Sequence, residues 1–222
     1  MAVYQVFPDK KRSVFKRISV TTWLIILNVL FFLVFYFLIS LGVLKMDYIA
    51  LNPSNIINHL YIWTFITSMF MHGGFFHLFV NMLSLFFVGN LLERILGGKR
   101  YFAFYIAAGI FSGLLFLVSS FIFTSDFNLY AVGASGAIFG LIGVLMFLTP
   151  NLPVYLLFIP VPVKMKYAAP GMLVLLWVVS IGLSVPIGNA AHLGGFLFGV
   201  FYGFYLRKKY PNKVNYLSKH FR

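Results

Sequence analysis

The chain is 222 residues long, 61% apolar and only 9% charged, against about 45–50% and about 25% for a soluble domain. That balance excludes an ordinary water-soluble globule, and the lack of cysteine excludes disulfides, thiol nucleophiles, thiolate zinc sites and iron–sulfur clusters. Only four carboxylates are present, Asp9, Asp47, Glu93 and Asp126, so chemistry that needs clustered acids is nearly excluded.

Several apolar runs approach the roughly 20 residues needed to cross about 30 Å of hydrocarbon. The pattern predicts six helices, at 22–44, 74–92, 101–123, 135–148, 167–185 and 190–206, and hence an all-α membrane bundle with both termini on one side. Lys10, Lys11, Arg12, Lys16 and Arg17 precede the first helix, and Arg94, Lys99 and Arg100 lie between the second and third. Lys164 and Lys166 lie between the fourth and fifth, and Arg207, Lys208, Lys209, Lys213, Lys219 and Arg222 follow the sixth. Sixteen of seventeen basic residues thus share one face, with Lys45 alone opposite. By the positive-inside rule that face is cytoplasmic. The formal charge of +13 is then a matter of topology, and nucleic acid is not expected as a partner.

The first apolar segment is too long for a signal-peptide core and follows about twenty residues of basic sequence, so it is read as a retained anchor. One membrane domain is expected over 1–222: a basic segment 1–21, a six-helix core 22–206 with an outer loop 45–73, and a basic tail 207–222. That outer loop is itself apolar and aromatic around His59–Phe65, and is expected to lie in the interface, partly sunk beside the bundle. His59 reads as interfacial and His220 as solvated.

The fourth helix is short. Its 14 residues, Ser135 to Leu148, reach about 21 Å, less than the hydrocarbon thickness. Pro150 and Pro153 oppose its continuation. Its outer end is therefore expected below the surface, reached by non-helical backbone over Phe127–Ala134 in which Gly133 permits unusual dihedrals.

At the head of that helix stands Gly133-Ala134-Ser135-Gly136. A serine there is ordinarily an N-cap. His192 opens the sixth helix at a similar depth, and an ionisable residue inside a span is a functional candidate, although one histidine can also be a packing residue. Gly136, Gly140 and Gly143 form one small-residue stripe and Gly195, Gly199 and Gly203 another. Such stripes allow the close helix approach that a Ser–His hydrogen bond requires, and mere packing explains the glycines equally well. His77 and Asn81, four apart on the second helix, read either as an interhelical hydrogen-bonding pair or as donors for an oxyanion beside the Ser135 N–H. With no acid nearby, a Ser135–His192 dyad is the most economical catalyst.

His72-x4-His77-x3-Asn81, Leu92-Glu93-Arg94-x2-Gly97, Gly133-Ala134-Ser135-Gly136-x3-Gly140 and Ala191-His192-x2-Gly195-x3-Gly199 together resemble the rhomboid family of intramembrane serine proteases, in its bacterial six-helix form. The resemblance implies Ser135 as nucleophile, His192 as general base, and His77 and Asn81 with the Ser135 N–H as oxyanion donors. It further implies support from His72 near the outer entrance and Phe139 as an aromatic floor beneath His192, with Glu93 and Arg94 structural. No metal or cofactor is implied, the partners are transmembrane protein substrates and the lipid bilayer, and the location is a bacterial inner membrane. The sequence departs from the family at Thr64, which follows Trp63 where many members carry Arg; restoring Arg there is expected to have modest effects on gating or stability. The resulting expectation is an intramembrane serine endopeptidase cutting transmembrane segments near the outer face. An inert client-escorting relative would be expected to lack the Ser or His, and a transporter to show internal repeats and midplane charges.

Overall fold

The computed structural model describes residues 18–155, 161–183 and 188–221. The basic run Lys10–Arg17, Asp9, Arg222, the last residues of the expected fifth helix (184–185) and the His220 side chain lie outside the described residues.

The chain folds as a helical membrane bundle. Among the described residues the long helices are α1 (Val20–Ser40), α4 (Phe75–Leu96), α5 (Gly98–Ser119), α6 (Ser135–Leu148), α7 (Met165–Gly182) and α8 (Asn189–Lys209). Between them lie two short outer-loop helices, α2 (Pro53–His59) and α3 (Thr64–Thr67), and a terminal helix α9 (Pro211–His220) follows. Helices α1, α4, α5 and α7 are each long and apolar enough to cross a membrane. Their lipid-side surfaces are correspondingly apolar, with Phe76, Phe87 and Ile181 all largely exposed.

The expected helix at 135–148 is found to the residue, while the others differ at their ends. α1 begins two residues early, where Ser19 caps Thr22 N and the Glu93 carboxylate accepts from Val20 N, Thr21 N and Thr21 Oγ1, each at 2.8 Å. Glu93 therefore ties the end of α4 to the start of α1. It fills the anion-seeking helix N-terminus. α4 contains a π-helical turn over Leu85–Gly89 and continues four residues beyond expectation. Gly97, at φ 80, then reverses the chain directly into α5. The tail expected to be a plain basic segment forms α9, whose Val214 and Leu217 are buried against α6 and α8.

The outer loop is a packed element. Ile49, Ala50, Leu51, Thr64, Met69 and Met71 are buried, while Leu60, Ile62 and Trp63 face outward. Thr67 Oγ1 donates to Ile49 O (2.7 Å), Trp63 Nε1 to Tyr48 O (2.9 Å), and Thr64 Oγ1 to Tyr61 O (2.6 Å). Thr64 is fully enclosed, so an Arg at this position needs room that the native loop does not leave.

The loop is also tied to residues 127–133. Leu51 and Ala131 exchange backbone hydrogen bonds (3.1 and 2.8 Å), Ser54 N donates to Phe127 O (3.0 Å), and Gly133 N donates to Ser68 O (2.9 Å). The approach to α6 is non-helical, as expected from its shortness. Several of its backbone groups are thereby satisfied by the outer loop rather than left open to lipid.

Candidate active site

Helices α6 and α8 form the most extensive helix–helix contact of the bundle. The two glycine stripes face one another. A methyl on Gly195 would overlap the Gly136 carbonyl, one on Gly199 would overlap the Gly140 carbonyl, and one on Gly143 would stand 2.5 Å from Phe196 O. Backbone therefore meets backbone along the interface, a distance at which Cα–H groups contact facing carbonyls.

At the outer end of this seam Ser135 Oγ lies 2.7 Å from His192 Nε2. Ser135 is the first residue of α6 and partly exposed, and His192 is buried in the first turn of α8. The ring of Phe139, one turn after Ser135, lies beneath the imidazole with centroids 4.8 Å apart at 34°. The sequence placed these three residues together, and the structure brings them together.

His77 approaches from α4. Its Nδ1 accepts from Gly73 N (3.3 Å), which leaves Nε2 to carry the hydrogen. A Cβ on Gly133 would stand 3.0 Å from His77 Nε2 and 3.7 Å from Ser135 Oγ. Gly133 adopts φ 119, a dihedral that L side chains rarely take. The absent side chain therefore leaves a small cradle whose wall is the His77 Nε2 donor and whose floor is Ser135 Oγ.

Asn81 is buried, and its Nδ2 donates to His77 O (2.8 Å). One amide hydrogen is thus spent on the helix itself, and the second remains for another acceptor. His72 is enclosed, with its ring 5.2 Å from that of His77 in an edge-on arrangement. Burial first, and the neighbouring His77 second, push its pKa down to about 3, so it stands neutral behind His77. His59 lies apart, exposed beside Tyr61.

Two contributors escaped the sequence reading. Ser112 on α5 donates to Ala191 O (2.7 Å), pinning the turn that carries His192. Asn189, the first residue of α8, carries an enclosed Oδ1. Neither has a motif of its own; the only signal was polarity within an otherwise apolar helix.

Comparison with known proteins gives a consistent result. Residues 59–209 match the Rhomboid domain. The chain is 37% identical over 147 residues to RHOMBOID-like protein 5 of Arabidopsis thaliana, covering 65% of this chain and 44% of that protein. It is 34% identical over 146 residues to the mitochondrial Rhomboid protein 1 of Saccharomyces cerevisiae, covering 64% and 41%. To the rhomboid protease GluP of Bacillus subtilis it is 32% identical over 141 residues, covering 63% and 25%. The chain spans less than half the length of these relatives.

Proposed function

Because the chain belongs to the rhomboid family, as a multi-pass membrane protein, we propose that it is an intramembrane serine endopeptidase that cuts transmembrane segments of other membrane proteins near the outer face. The observation that carries this reading is the 2.7 Å contact between Ser135 Oγ and His192 Nε2, on two helices whose backbones pack directly against each other.

In this mechanism the Ser135 hydroxyl proton passes to His192 Nε2 as Oγ attacks the scissile carbonyl. The developing oxyanion takes donation from the Ser135 N–H, His77 Nε2 and the remaining Asn81 amide hydrogen, in the cradle that Gly133 leaves open. His192 then returns the proton to the leaving amine, and water repeats the sequence on the acyl-enzyme. No metal or cofactor takes a role. The substrate helix must unwind locally to present its carbonyl, so segments with Gly, Pro or β-branched residues suit best. The split of basic residues supports cytoplasmic termini, and the proposal further places the protein in a bacterial inner membrane as a single domain over 1–222.

Purified protein incubated with a model transmembrane substrate tests the reading. Wild type cuts, and Ser135→Ala and His192→Ala each reduce cleavage to background, with the double variant no worse, because members of one catalytic unit are not additive. Cleavage at the same bond by Ser135→Ala would refute the dyad. If wild type cuts none of a broad panel and never labels with a fluorophosphonate, the inert client-binding reading replaces it.

A further inference from the structure

A serine–histidine pair works only if the imidazole presents Nε2 as an acceptor, so the second nitrogen, Nδ1, must carry the hydrogen. In chains with an acid that hydrogen is held by a carboxylate. Here the described acids Asp47, Glu93 and Asp126 are elsewhere, bound to Tyr130 and Asn55, to Thr21, and in the 124–126 turn. His192 Nδ1 is enclosed without a hydrogen-bond partner among the described residues. A buried donor left unpaired is costly and calls for an acceptor.

One acceptor with the matching deficit is present. Asn189 Oδ1 is likewise enclosed and without a partner among the described residues. Asn189 and His192 are three apart at the start of the same helix. Residues at that spacing share a face, with Cβ atoms about 5–6 Å apart, a separation at which polar side chains hydrogen-bond. Of the two amide orientations, only the one that turns oxygen toward the ring can pair with an N–H. Catalytic hydrogen bonds are often open in the free enzyme and tighten when substrate occupies the site.

We propose that Asn189 is the positioning residue of the dyad: its Oδ1 accepts the Nδ1 hydrogen of His192, fixing the tautomer in which Nε2 faces Ser135. During attack the Ser135 proton moves to Nε2 while the Nδ1 hydrogen stays where it is, donated to Asn189. The amide takes no proton and changes no charge. Asn189 thus orients the ring from above while Phe139 supports its face from below.

This inference rests on the protease reading, and its test separates the two. Full-length protein carrying Asn189→Ala, Asn189→Leu and Asn189→Asp is assayed on a transmembrane substrate. The Ala and Leu variants are expected to lose about 10–100-fold in kcat, with KM within twofold and the thermal midpoint unchanged. The Asp variant keeps the acceptor and is expected to recover most of kcat. An unchanged kcat in Asn189→Ala overturns the proposal, as does an Asp variant as impaired as Ala. The second arm needs no turnover: nitrogen NMR of 15N-histidine protein in the Ser135→Ala background reads the His192 tautomer directly. The Nδ1–H form should dominate with Asn189 and give way to a mixture with Asn189→Leu. The same tautomer in both overturns the proposal even if the protein cleaves nothing, whereas absent cleavage with a tautomer shift rejects only the protease reading.

Discussion

Helices α6 and α8 meet glycine to glycine, whereas α7, their neighbour, buries residues only in its first half and packs its second half more loosely, through Leu176. From Gly136 to Leu145 every residue of α6 is buried. In α7 burial is confined to Met165, Ala168, Ala169 and Leu173, and beyond them Val178 and Ile181 stand largely exposed. A methyl on Gly195 has no room, while methyls on Gly171 and Gly182 meet nothing within 4 Å. The same residue type therefore means close approach in one helix and no contact in the other. The dyad is strung across the closely packed pair, and α7 lies beside it with most of its second half exposed.

The sharpest way to break this contrast is to push the closely packed pair apart. Gly195→Ala sets a methyl against the Gly136 carbonyl, a backbone atom that cannot rotate away. Overpacking of this kind destabilises by about 1–3 kcal/mol, and a displacement of about 1 Å at a catalytic pair removes about 10²-fold in rate. Gly195→Ala is expected to lose both, in thermal unfolding and in cleavage. A variant with native cleavage would show that the seam does not set the dyad distance.

Thr64→Arg ranks next. Thr64 is fully enclosed and bound to Tyr61 O, and a guanidinium there must either find partners or open the loop, since an unpaired buried charge is strongly unfavourable. Thermal stability should fall measurably, while fluorophosphonate labelling of Ser135 persists because the α6–α8 seam is untouched. Lost labelling would show that the outer loop governs the nucleophile.

The legible parts of the sequence were those in which one residue type carried one meaning. Helix α6 was readable to the residue because Gly133 and Pro150 bracket it, and Ser135 and His192 because polar groups at matched depth stood out in apolar spans, while Phe139 came only from the family resemblance. The ends of α1 and α4 were not readable, because Glu93 reaches across from another helix to start α1 and a π turn extends α4. Short helices α2, α3 and α9 have too few turns for periodicity to register. Ser112 was missed because its significance lies in what it faces, the Ala191 carbonyl, and Asn189 because the enclosure of its Oδ1, without a partner among the described residues, shows only in the fold.

A smaller effect is expected where the outer loop meets the approach to α6. Asp47 accepts from the Tyr130 hydroxyl (2.5 Å) and from Asn55 Nδ2 (2.8 Å), and these donors, Tyr130 first, hold its carboxyl below the usual range. Lys45 acts in the same direction, and Tyr48 and Tyr61 pack nearby with their rings tilted at 37°. A carboxylate depressed in the folded state adds stability above its unfolded pKa of about 4 and loses it as pH falls through the folded value. Asp47→Asn should therefore flatten the acid side of the curve of thermal midpoint against pH, by a small amount because the group is solvated. Identical acid limbs in both proteins would show that the clasp contributes nothing.

The smallest effect is expected at Gly171. It follows Pro170 inside α7, and a Cβ there meets nothing within 4 Å, so Gly171→Ala adds no overlap. It removes backbone freedom from the unfolded chain, a gain of about 0.4–1 kcal/mol where the dihedrals suit both residues. The thermal midpoint should hold or rise slightly, and cleavage should stay within twofold of wild type. If Gly171→Ala instead lost cleavage as Gly195→Ala is expected to, the open face of α7 would have to close against another surface during turnover, and the contrast between the two glycine-bearing helices would fail.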